Sequence, residues 1–179
     1  SPPTAQRRQM QIEDCLYDNL LHTPWQSISV ADICRQVGIS RKAYYNYYKD
    51  KESCFCAYID RVLRDCPLYV SQTISDKSTP LETTMVLLSY WKERKALLDV
   101  LVKNDLLHFL TSRTVHYALT EHQILLDRLS TDEIPTDTDI LCCYASIQVT
   151  LISLWHSRGF DTPVEEMARK FLRIVHEPL

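Results

Sequence analysis

The sequence contains very little glycine, with only two glycines among 179 residues. The glycine-containing residue pairs that close tight β-hairpins are absent, and long segments repeat apolar residues at helical spacing. Together these features exclude a β-rich chain and predict an all-α protein. Both glycines, Gly38 and Gly159, follow apolar helical stripes, where a left-handed residue typically ends a helix.

The sequence also lacks the signals of membrane proteins and metalloproteins. No uninterrupted apolar run approaches the roughly 18 residues of a membrane span, and the opening SPPTAQRRQM has no apolar signal segment. We therefore expect a cytoplasmic protein with no membrane partner. Seven cysteines and six histidines show no metal-ligand spacing, so neither a metal nor a cofactor is expected. The cysteines are interpreted as reduced thiols that act as small hydrophobes, with a thiol sensor as the alternative.

Sequence motifs of the common enzyme classes are missing as well. There is no phosphate-binding P-loop, no nucleophile elbow, no H-E-x-x-H zinc motif and no pair of carboxylates in an apolar stretch. The protein is therefore not expected to be an enzyme.

Positive charge is concentrated around the first glycine. The whole chain has a net charge of −3, whereas residues 1–52 carry +1 and residues 53–179 carry −4. Residues 37–53 contain four Lys/Arg and two acidic residues. Any nucleic-acid surface is therefore confined to one small element.

Two short helices are predicted on either side of Gly38. Ser29 is suited to cap the first helix, and Ser40 is suited to cap a second helix over residues 41–50. A three-residue turn between two short helices is the helix-turn-helix pattern, and its glycine supplies the left-handed backbone that the turn needs.

A helical wheel divides the second of these helices into two faces. Tyr44 and Tyr48 lie together on one face and are expected to anchor the helix in the core. Lys42, Ala43 and Asn46 lie on the opposite face. A cation, a methyl group and an amide are the groups that read guanine, thymine and adenine in the major groove. Each residue singly is explained as well by core packing or by a solvated face, but the combination favours DNA binding.

Larger apolar helices are predicted after residue 52. Thr79-Pro80-Leu81-Glu82 is a capping box with proline in the first helical position. An acidic loop is expected at residues 130–139, and an apolar helix that ends near Gly159 follows it. About nine helices are predicted in total, divided into a helix-turn-helix domain over residues 1–52 and a larger helical domain over residues 53–179.

Residues 28–53, ISVADICRQVGISRKAYYNYYKDKES, resemble the N-terminal signature of TetR-family transcriptional regulators. That signature contains Ser/Thr, V-x-D-I-A, a glycine turn, a capped short helix, Tyr-x-x-Phe and a Lys-Glu pair. Its positions are held here by Ser29, Val30, Asp32, Ile33, Cys34, Gly38, Ser40, Tyr45, Tyr48, Lys51 and Glu52. Cys34 replaces the common alanine, Tyr48 replaces the common phenylalanine, and Lys42 stands where glycine is frequent. Residues 151–168 are similar to the end of a common C-terminal regulatory domain of this family.

The resemblance implies contacts with double-stranded operator DNA. The expected contact residues are Ser29, Ser40, Arg41, Lys42, Ala43, Tyr45, Asn46, Tyr47 and Lys51. Among them, Lys42, Ala43 and Asn46 are expected nearest the bases and Lys51 on a phosphate. Helix capping explains Ser29 and Ser40 equally well. The family's dimer interface corresponds to residues 138–158 and 163–177 of this chain.

The resemblance also implies a small-molecule ligand in the larger domain. Its candidate contacts are Trp91, His108, Phe109, His116, Tyr117, Tyr144 and Trp155, and ordinary core or interface packing is the alternative for each. The resulting hypothesis is a homodimeric repressor that a ligand releases from its operator. The alternative is a related regulator whose C-terminal domain binds a protein partner and no metabolite.

Overall fold

The computed structural model describes residues 4–129 and 137–176, and for residues 122–129 it describes the backbone only. Within these residues the predicted all-α fold is confirmed, since there are nine α-helices, one 3-10 turn (Trp25–Ser27) and no strand. The α-helices are α1 Thr4–Leu20, α2 Val30–Val37, α3 Arg41–Tyr45, α4 Lys51–Thr73, α5 Pro80–Glu93, α6 Lys95–Lys103, α7 Leu107–Leu129, α8 Thr138–Ser157 and α9 Val164–His176.

Several helix boundaries lie where local capping signals predict them. At the start of α5, Thr79 Oγ1 accepts a hydrogen bond from Glu82 N at 3.2 Å, and Glu82 Oε2 accepts one from Thr79 N at 2.7 Å. Gly159 follows α8 with a φ of 67°. Asp137, in the predicted acidic loop, caps α8 by accepting from Asp139 N at 2.9 Å. The rest of that loop, residues 130–136, lies outside the described residues.

One apolar core extends from α1 to α9. The long helix α4 packs against α1 on one side and against α5 and α7 on the other, while α8 packs on α7 and α9 packs on α5. Within this core, the buried Tyr90 hydroxyl donates to Val62 O at 2.6 Å and so joins α5 to α4. The domain boundary predicted at residue 52 falls in the first turn of α4, so this helix connects the N-terminal helices to all the later ones.

The helix α8 is apolar on most of its surface. It is the one described helix that is long and apolar enough to cross a membrane, a test that the core helix of a soluble protein also passes. One side of α8 packs into the core through Leu141, Ala145, Val149, Ile152 and Trp155. The side chains of Ile140, Cys143 and Leu154 are exposed. This outward apolar surface is left uncovered by the described part of the chain.

Candidate nucleic-acid interface and regulatory cavity

Local hydrogen bonds fix α2, the turn and α3 as the predicted helix-turn-helix. Ser29 Oγ accepts from Asp32 N at 3.1 Å, and Asp32 Oδ2 accepts from Ser29 N at 3.1 Å, which forms a capping box. Gly38 has a φ of 75° and its N–H donates to Cys34 O at 2.9 Å. Ser40 Oγ then accepts from Ala43 N at 3.0 Å and caps α3.

The helix α3 is shorter than predicted, because it ends at Tyr45 and does not continue to residue 50. Tyr47 N and Tyr48 N both donate to Tyr44 O, at 2.9 and 3.0 Å, so the chain tightens into a turn. Asp50 is fully extended, with a φ of −154°, and accepts from Ser53 N at 2.7 Å to cap α4. An extended residue that caps the next helix cannot also belong to α3, so the prediction of its end was wrong.

Two buried tyrosines anchor α3 and the turn after it, as predicted. Tyr44 is completely buried and Tyr48 is 6% exposed. The Tyr44 hydroxyl donates to Asp50 O at 3.0 Å, and the Tyr48 hydroxyl donates to Glu13 Oε1 at 2.6 Å. Burial raises the pKa of both phenols, so both stay protonated donors at neutral pH.

The acceptor of the Tyr48 hydrogen bond is a buried carboxylate that sequence analysis missed. Glu13 is 7% exposed and its Oε2 lies 3.1 Å from Arg61 Nε on α4. Burial raises the pKa of Glu13, while the Tyr48 hydrogen bond and the Arg61 charge oppose that shift. The one signal in the sequence is that Glu13 precedes Leu16 by three residues and therefore lies on the apolar face of α1.

The outward side of α3 carries the predicted base-reading groups. Arg41, Lys42, Tyr45 and Asn46 are exposed, and Ala43 and Tyr47 are half-buried. Within the described residues neither cation of α3 forms an ion pair. Their positive charges are therefore available to a negatively charged partner.

The remaining predicted DNA contacts also have structural roles. Ser29 and Ser40 are both helix caps, and the Ser29 hydroxyl in addition donates to Asp32 Oδ2 at 2.6 Å. The Lys51 ammonium donates to Trp25 O at 2.6 Å and to Ile28 O at 2.9 Å. It also lies 4.2 Å from the centre of the Trp25 ring. Lys51 thus fastens the segment that leads into α2.

Trp25 is the point where that segment meets the larger helices. Its backbone N–H donates to Oδ1 of Asn104, the C-cap residue that follows α6, at 2.8 Å. Its ring centroid lies 5.4 Å from that of Phe55 on α4 and 6.4 Å from that of Phe109 on α7. A displacement of α6 or α7 would therefore act directly on the residues that precede the helix-turn-helix.

A partly enclosed cavity of about 200 Å³ lies among α4, α5, α7, α8 and α9. Three of the seven predicted ligand contacts, Trp91, Tyr117 and Tyr144, line it. The hydroxyl of Tyr144 donates to Val175 O on α9 at 2.8 Å. The wall is otherwise mainly aliphatic, so the cavity offers an apolar environment with a few polar groups.

The structure places the other four predicted ligand contacts elsewhere. Trp155 is completely buried, and its indole Nε1 donates to Thr162 O at 2.9 Å. Phe109 packs against Trp25, and His108 and His116 are exposed on α7. Sequence spacing cannot separate these residues from the lining ones, because the cavity is formed by helices that are distant in sequence.

The cysteines and histidines of the described residues form no cluster that could hold a metal ion. All seven cysteines are free. Burial raises the pKa of Cys54 to about 12 and that of Cys66 to about 12. Both thiols are therefore protonated at neutral pH and lack the thiolate that oxidation requires.

No protein-family model matches this chain, and no curated protein is similar to it in sequence. Solved structures are nevertheless similar in fold. The TetR family repressor AlkX from Dietzia sp., implicated in biodegradation of n-alkanes, is 16% identical over 92% of this chain and 93% of its own, with a TM-score of 0.64. A TetR-family transcriptional regulator from Streptomyces coelicolor is 18% identical over 94% of this chain and 96% of its own, also with a TM-score of 0.64.

A third similar structure is the fatty acid degradation regulator FadR from Bacillus halodurans. It is 11% identical over 100% of this chain and 98% of its own, with a TM-score of 0.59. Because such identities carry information about fold alone, the comparisons establish that this chain has the fold of TetR-family regulators over nearly its whole length.

Proposed function

We propose that this chain is a sequence-specific DNA-binding transcriptional regulator. The observation that carries the proposal is the capped pair α2 and α3, which presents Arg41, Lys42 and Asn46 to solvent while Tyr44 and Tyr48 hold the pair in the core. A short rigid helix with unpaired cations and an amide on its outward side suits the major groove. Residues 1–52 are the DNA-binding unit in this proposal, and residues 53–179 bind the ligand and form the dimer.

The contacts are assigned by exposure and by chemistry. Lys42, Ala43 and Asn46 face the bases, and Arg41 reaches a base or a phosphate from the start of α3. Phosphate contacts come from Ser29, Ser40, Tyr45, Tyr47 and Lys51. Because Tyr47 is half-buried, only the exposed edge of its side chain reaches DNA. Two of the three N–H groups of the Lys51 ammonium donate to backbone carbonyls, which leaves one for a phosphate.

The protein acts as a homodimer in this proposal, through residues 138–158 and 163–177. Support comes from the outward face of α8, where Ile140, Cys143, Ile147 and Leu154 follow at helical spacing, and from Ile174 on α9, which is 52% exposed. A two-fold axis through these helices would cover the same apolar patch on both copies. It would also present two α3 helices to two operator half-sites.

Release from the operator by a small ligand is the regulatory part of the proposal. A ligand that binds one arrangement of α4 to α9 more tightly than another shifts the population toward it. Asn104 and Phe109 connect α6 and α7 to Trp25, and thereby to the segment before α2. The cavity supports this mechanism over control by a protein partner, which would need no internal space.

The proposal is tested by selecting duplexes from a random library with the wild-type protein. We expect enrichment of an inverted repeat whose half-sites lie about 10 base pairs, or a multiple of that, apart. Lys42→Ala is expected to reduce discrimination at one base pair of each half-site by about 1–3 kcal/mol. Lys77→Ala, which alters an exposed lysine between α4 and α5, is the matched control and should bind as the wild type does. If no sequence is enriched, the proposed function is wrong.

A further inference from the structure

A glutamine lies in the middle of the inward face of α8. The residues of α8 that line the cavity recur at helical spacing and form one stripe, which consists of Leu141, Tyr144, Ala145, Gln148, Val149 and Ile152. Gln148 comes four residues after Tyr144 and four before Ile152, so its side chain leaves the helix toward the cavity. The exposed apolar surface of α8 lies on the opposite side of the helix.

The amide group of Gln148 is accessible and unpartnered. The side chain is half-buried, and within the described residues neither its oxygen nor its nitrogen forms a hydrogen bond. Both atoms nevertheless reach open space. In this they differ from Trp91 Nε1 and Thr83 Oγ1 in the same wall, which are enclosed by protein atoms. The Gln148 amide is therefore available to a molecule in the cavity.

Packing does not explain a glutamine at this position. The neighbouring residues of the stripe, Ala145, Val149 and Ile152, are buried and apolar. A leucine between them would complete the apolar face, whereas an amide that faces inward is unfavourable unless it is hydrogen-bonded. We therefore interpret the Gln148 amide as a group that binds a ligand.

The chemistry of an amide defines the group that pairs with it. Its oxygen accepts and its amino group donates, side by side in one plane. A ligand with the same two groups in the reverse order forms two parallel hydrogen bonds with that edge. A carboxamide has both groups, a ketone has only the acceptor, and a hydrocarbon has neither.

We propose that the cavity binds a compact uncharged molecule that has an apolar body and a carboxamide-type edge, which pairs with the Gln148 amide through two hydrogen bonds. The volume of about 200 Å³ limits the size of the ligand. A cavity of about 150 Å³ holds benzene, so one substituted ring fits here. Binding is independent of the proposed function, and only the effect of the ligand on DNA rests on it.

A histidine defines the competing ligand class. The described lining residues include no Asp, Glu, Lys or Arg, but they do include His176, which is exposed at the end of α9. An imidazole can carry a positive charge near neutral pH. A site dominated by His176 would prefer a carboxylate, whereas a site dominated by Gln148 prefers an uncharged carboxamide.

Four compounds of nearly the same shape test the proposal. Benzamide has the carboxamide, and acetophenone has a methyl group in place of the amino group. Isopropylbenzene has methyl groups in place of both the oxygen and the amino group, and benzoate has a charged oxygen in place of the amino group. Each is titrated into the ¹⁵N-labelled protein while the side-chain amide resonances are followed. Those of Gln148 are identified by their loss in Gln148→Met, which keeps an unbranched side chain but has no amide.

We expect benzamide to move the Gln148 amide protons downfield in a saturable way, and isopropylbenzene to bind without that shift. In Gln148→Met, the ratio of the benzamide to the isopropylbenzene dissociation constant should rise about fourfold to a hundredfold, because each of two hydrogen bonds is worth about twofold to tenfold. The corresponding ratio for acetophenone, which forms one hydrogen bond, should rise only about twofold to tenfold. If Gln148→Met does not fold, Gln148→Leu takes its place with the same expected ratios.

Thr114→Val is the matched control. Thr114 also lines the cavity, but its hydroxyl already donates to Leu110 O at 2.7 Å. Valine has nearly the same shape as threonine, so this variant removes a polar group of the wall that is not available to a ligand. Both ratios should therefore stay as in the wild type.

Four outcomes would overturn the inference. Benzoate binding more tightly than benzamide would assign the site to His176 and to an anionic ligand. Equal rises for benzamide and acetophenone would contradict the paired edge. Ratios that are unchanged in Gln148→Met, or that change as much in Thr114→Val, would contradict the role of Gln148. No saturable shift with any compound would show that the cavity does not admit molecules of this size. If benzamide binds as expected but leaves the affinity for a selected duplex unchanged, the ligand class stands and the proposed release mechanism is wrong.

Discussion

Replacing Lys51 with methionine separates the packing of its apolar stem from the interactions of its ammonium group. Methionine keeps an unbranched apolar stem but removes the ammonium, which lies over the Trp25 ring and donates to Trp25 O at 2.6 Å and to Ile28 O at 2.9 Å. Hydrogen bonds from a charged donor are each worth about 1.5–3 kcal/mol when buried, and a cation–π contact at an exposed site is worth about 0.5–1 kcal/mol. Because Lys51 is only half-buried, water can donate to the two carbonyls in the variant and offsets much of this lost free energy. We expect a loss of about 1–2 kcal/mol in the free energy of unfolding.

The assay is urea unfolding followed by circular dichroism, with the midpoint and the m-value fitted separately. The midpoint should fall and the m-value should stay constant, because the mutation changes stability and not the surface exposed on unfolding. Lys49→Met is the matched control, since Lys49 is exposed and forms no ion pair within the described residues. A Lys51→Met protein as stable as the Lys49→Met protein would refute the reasoning.

The same variant tests the phosphate contact. Each phosphate neutralised contributes about −0.9 to the slope of log K against log salt concentration. If the third N–H of the Lys51 ammonium donates to a phosphate, the slope for any duplex of fixed sequence becomes shallower by about 0.9 in Lys51→Met. The slope is measured over salt concentrations at which both proteins are folded. An unchanged slope would show that Lys51 holds the Trp25 segment and contacts no phosphate.

Three further predictions concern the carboxylate, the turn and the dimer. Burial raises the folded-state pKa of Glu13 above 4.5, so the folded protein retains a proton that the unfolded chain has released, and the contribution of Glu13 to stability falls as pH rises from 4.5 through the folded pKa. The free energy of unfolding of the wild type, measured in urea, should therefore fall relative to that of Glu13→Gln across this range, whereas parallel curves would contradict it. Gly38 has a φ of 75° and nothing within 4 Å of an added Cβ, so Gly38→Ala should lose about 1 kcal/mol from backbone strain alone, and Gly38→Asn should lose less. Thermal unfolding measures both, and equal losses would point to a cause other than φ. Leu154→Lys should shift sedimentation equilibrium toward monomer, whereas Val102→Lys, at a similarly exposed apolar position on α6, should not; an unchanged dimer in Leu154→Lys would place the interface elsewhere.

Sequence predicts those parts of the fold that depend on neighbouring residues. The caps at Ser29 and Thr79 and the left-handed Gly38 each depend on hydrogen bonds to residues only three or four positions away. Their positions can therefore be predicted from the local sequence. The end of α3 depends instead on Asp50, which caps α4 with Ser53 as its partner. A serine in that position is not the usual Glu or Gln of a capping box, and the signal was missed.

The candidate sites depend on contacts that sequence spacing does not encode. The Tyr48 hydroxyl meets Glu13, 35 residues earlier, and the Trp25 N–H meets Asn104, 79 residues later. The cavity also depends on contacts between distant residues, because five helices from different parts of the chain surround it. Aromatic character alone therefore could not distinguish Trp91, which lines the cavity, from Trp155, which is packed in the core.

The shortness of α3 has a consequence for how such a protein would find its site in a genome. Five helical residues rise about 7.5 Å, which corresponds to about two base-pair steps. Two copies would then read about four to six base pairs directly, a pattern that random DNA contains once in every few hundred to few thousand base pairs. A whole chromosome would offer a very large number of such chance matches. Occupancy of one operator must then depend on the fixed distance between the two α3 helices and on how readily the DNA between the half-sites deforms. The residues of α3 determine neither of these properties.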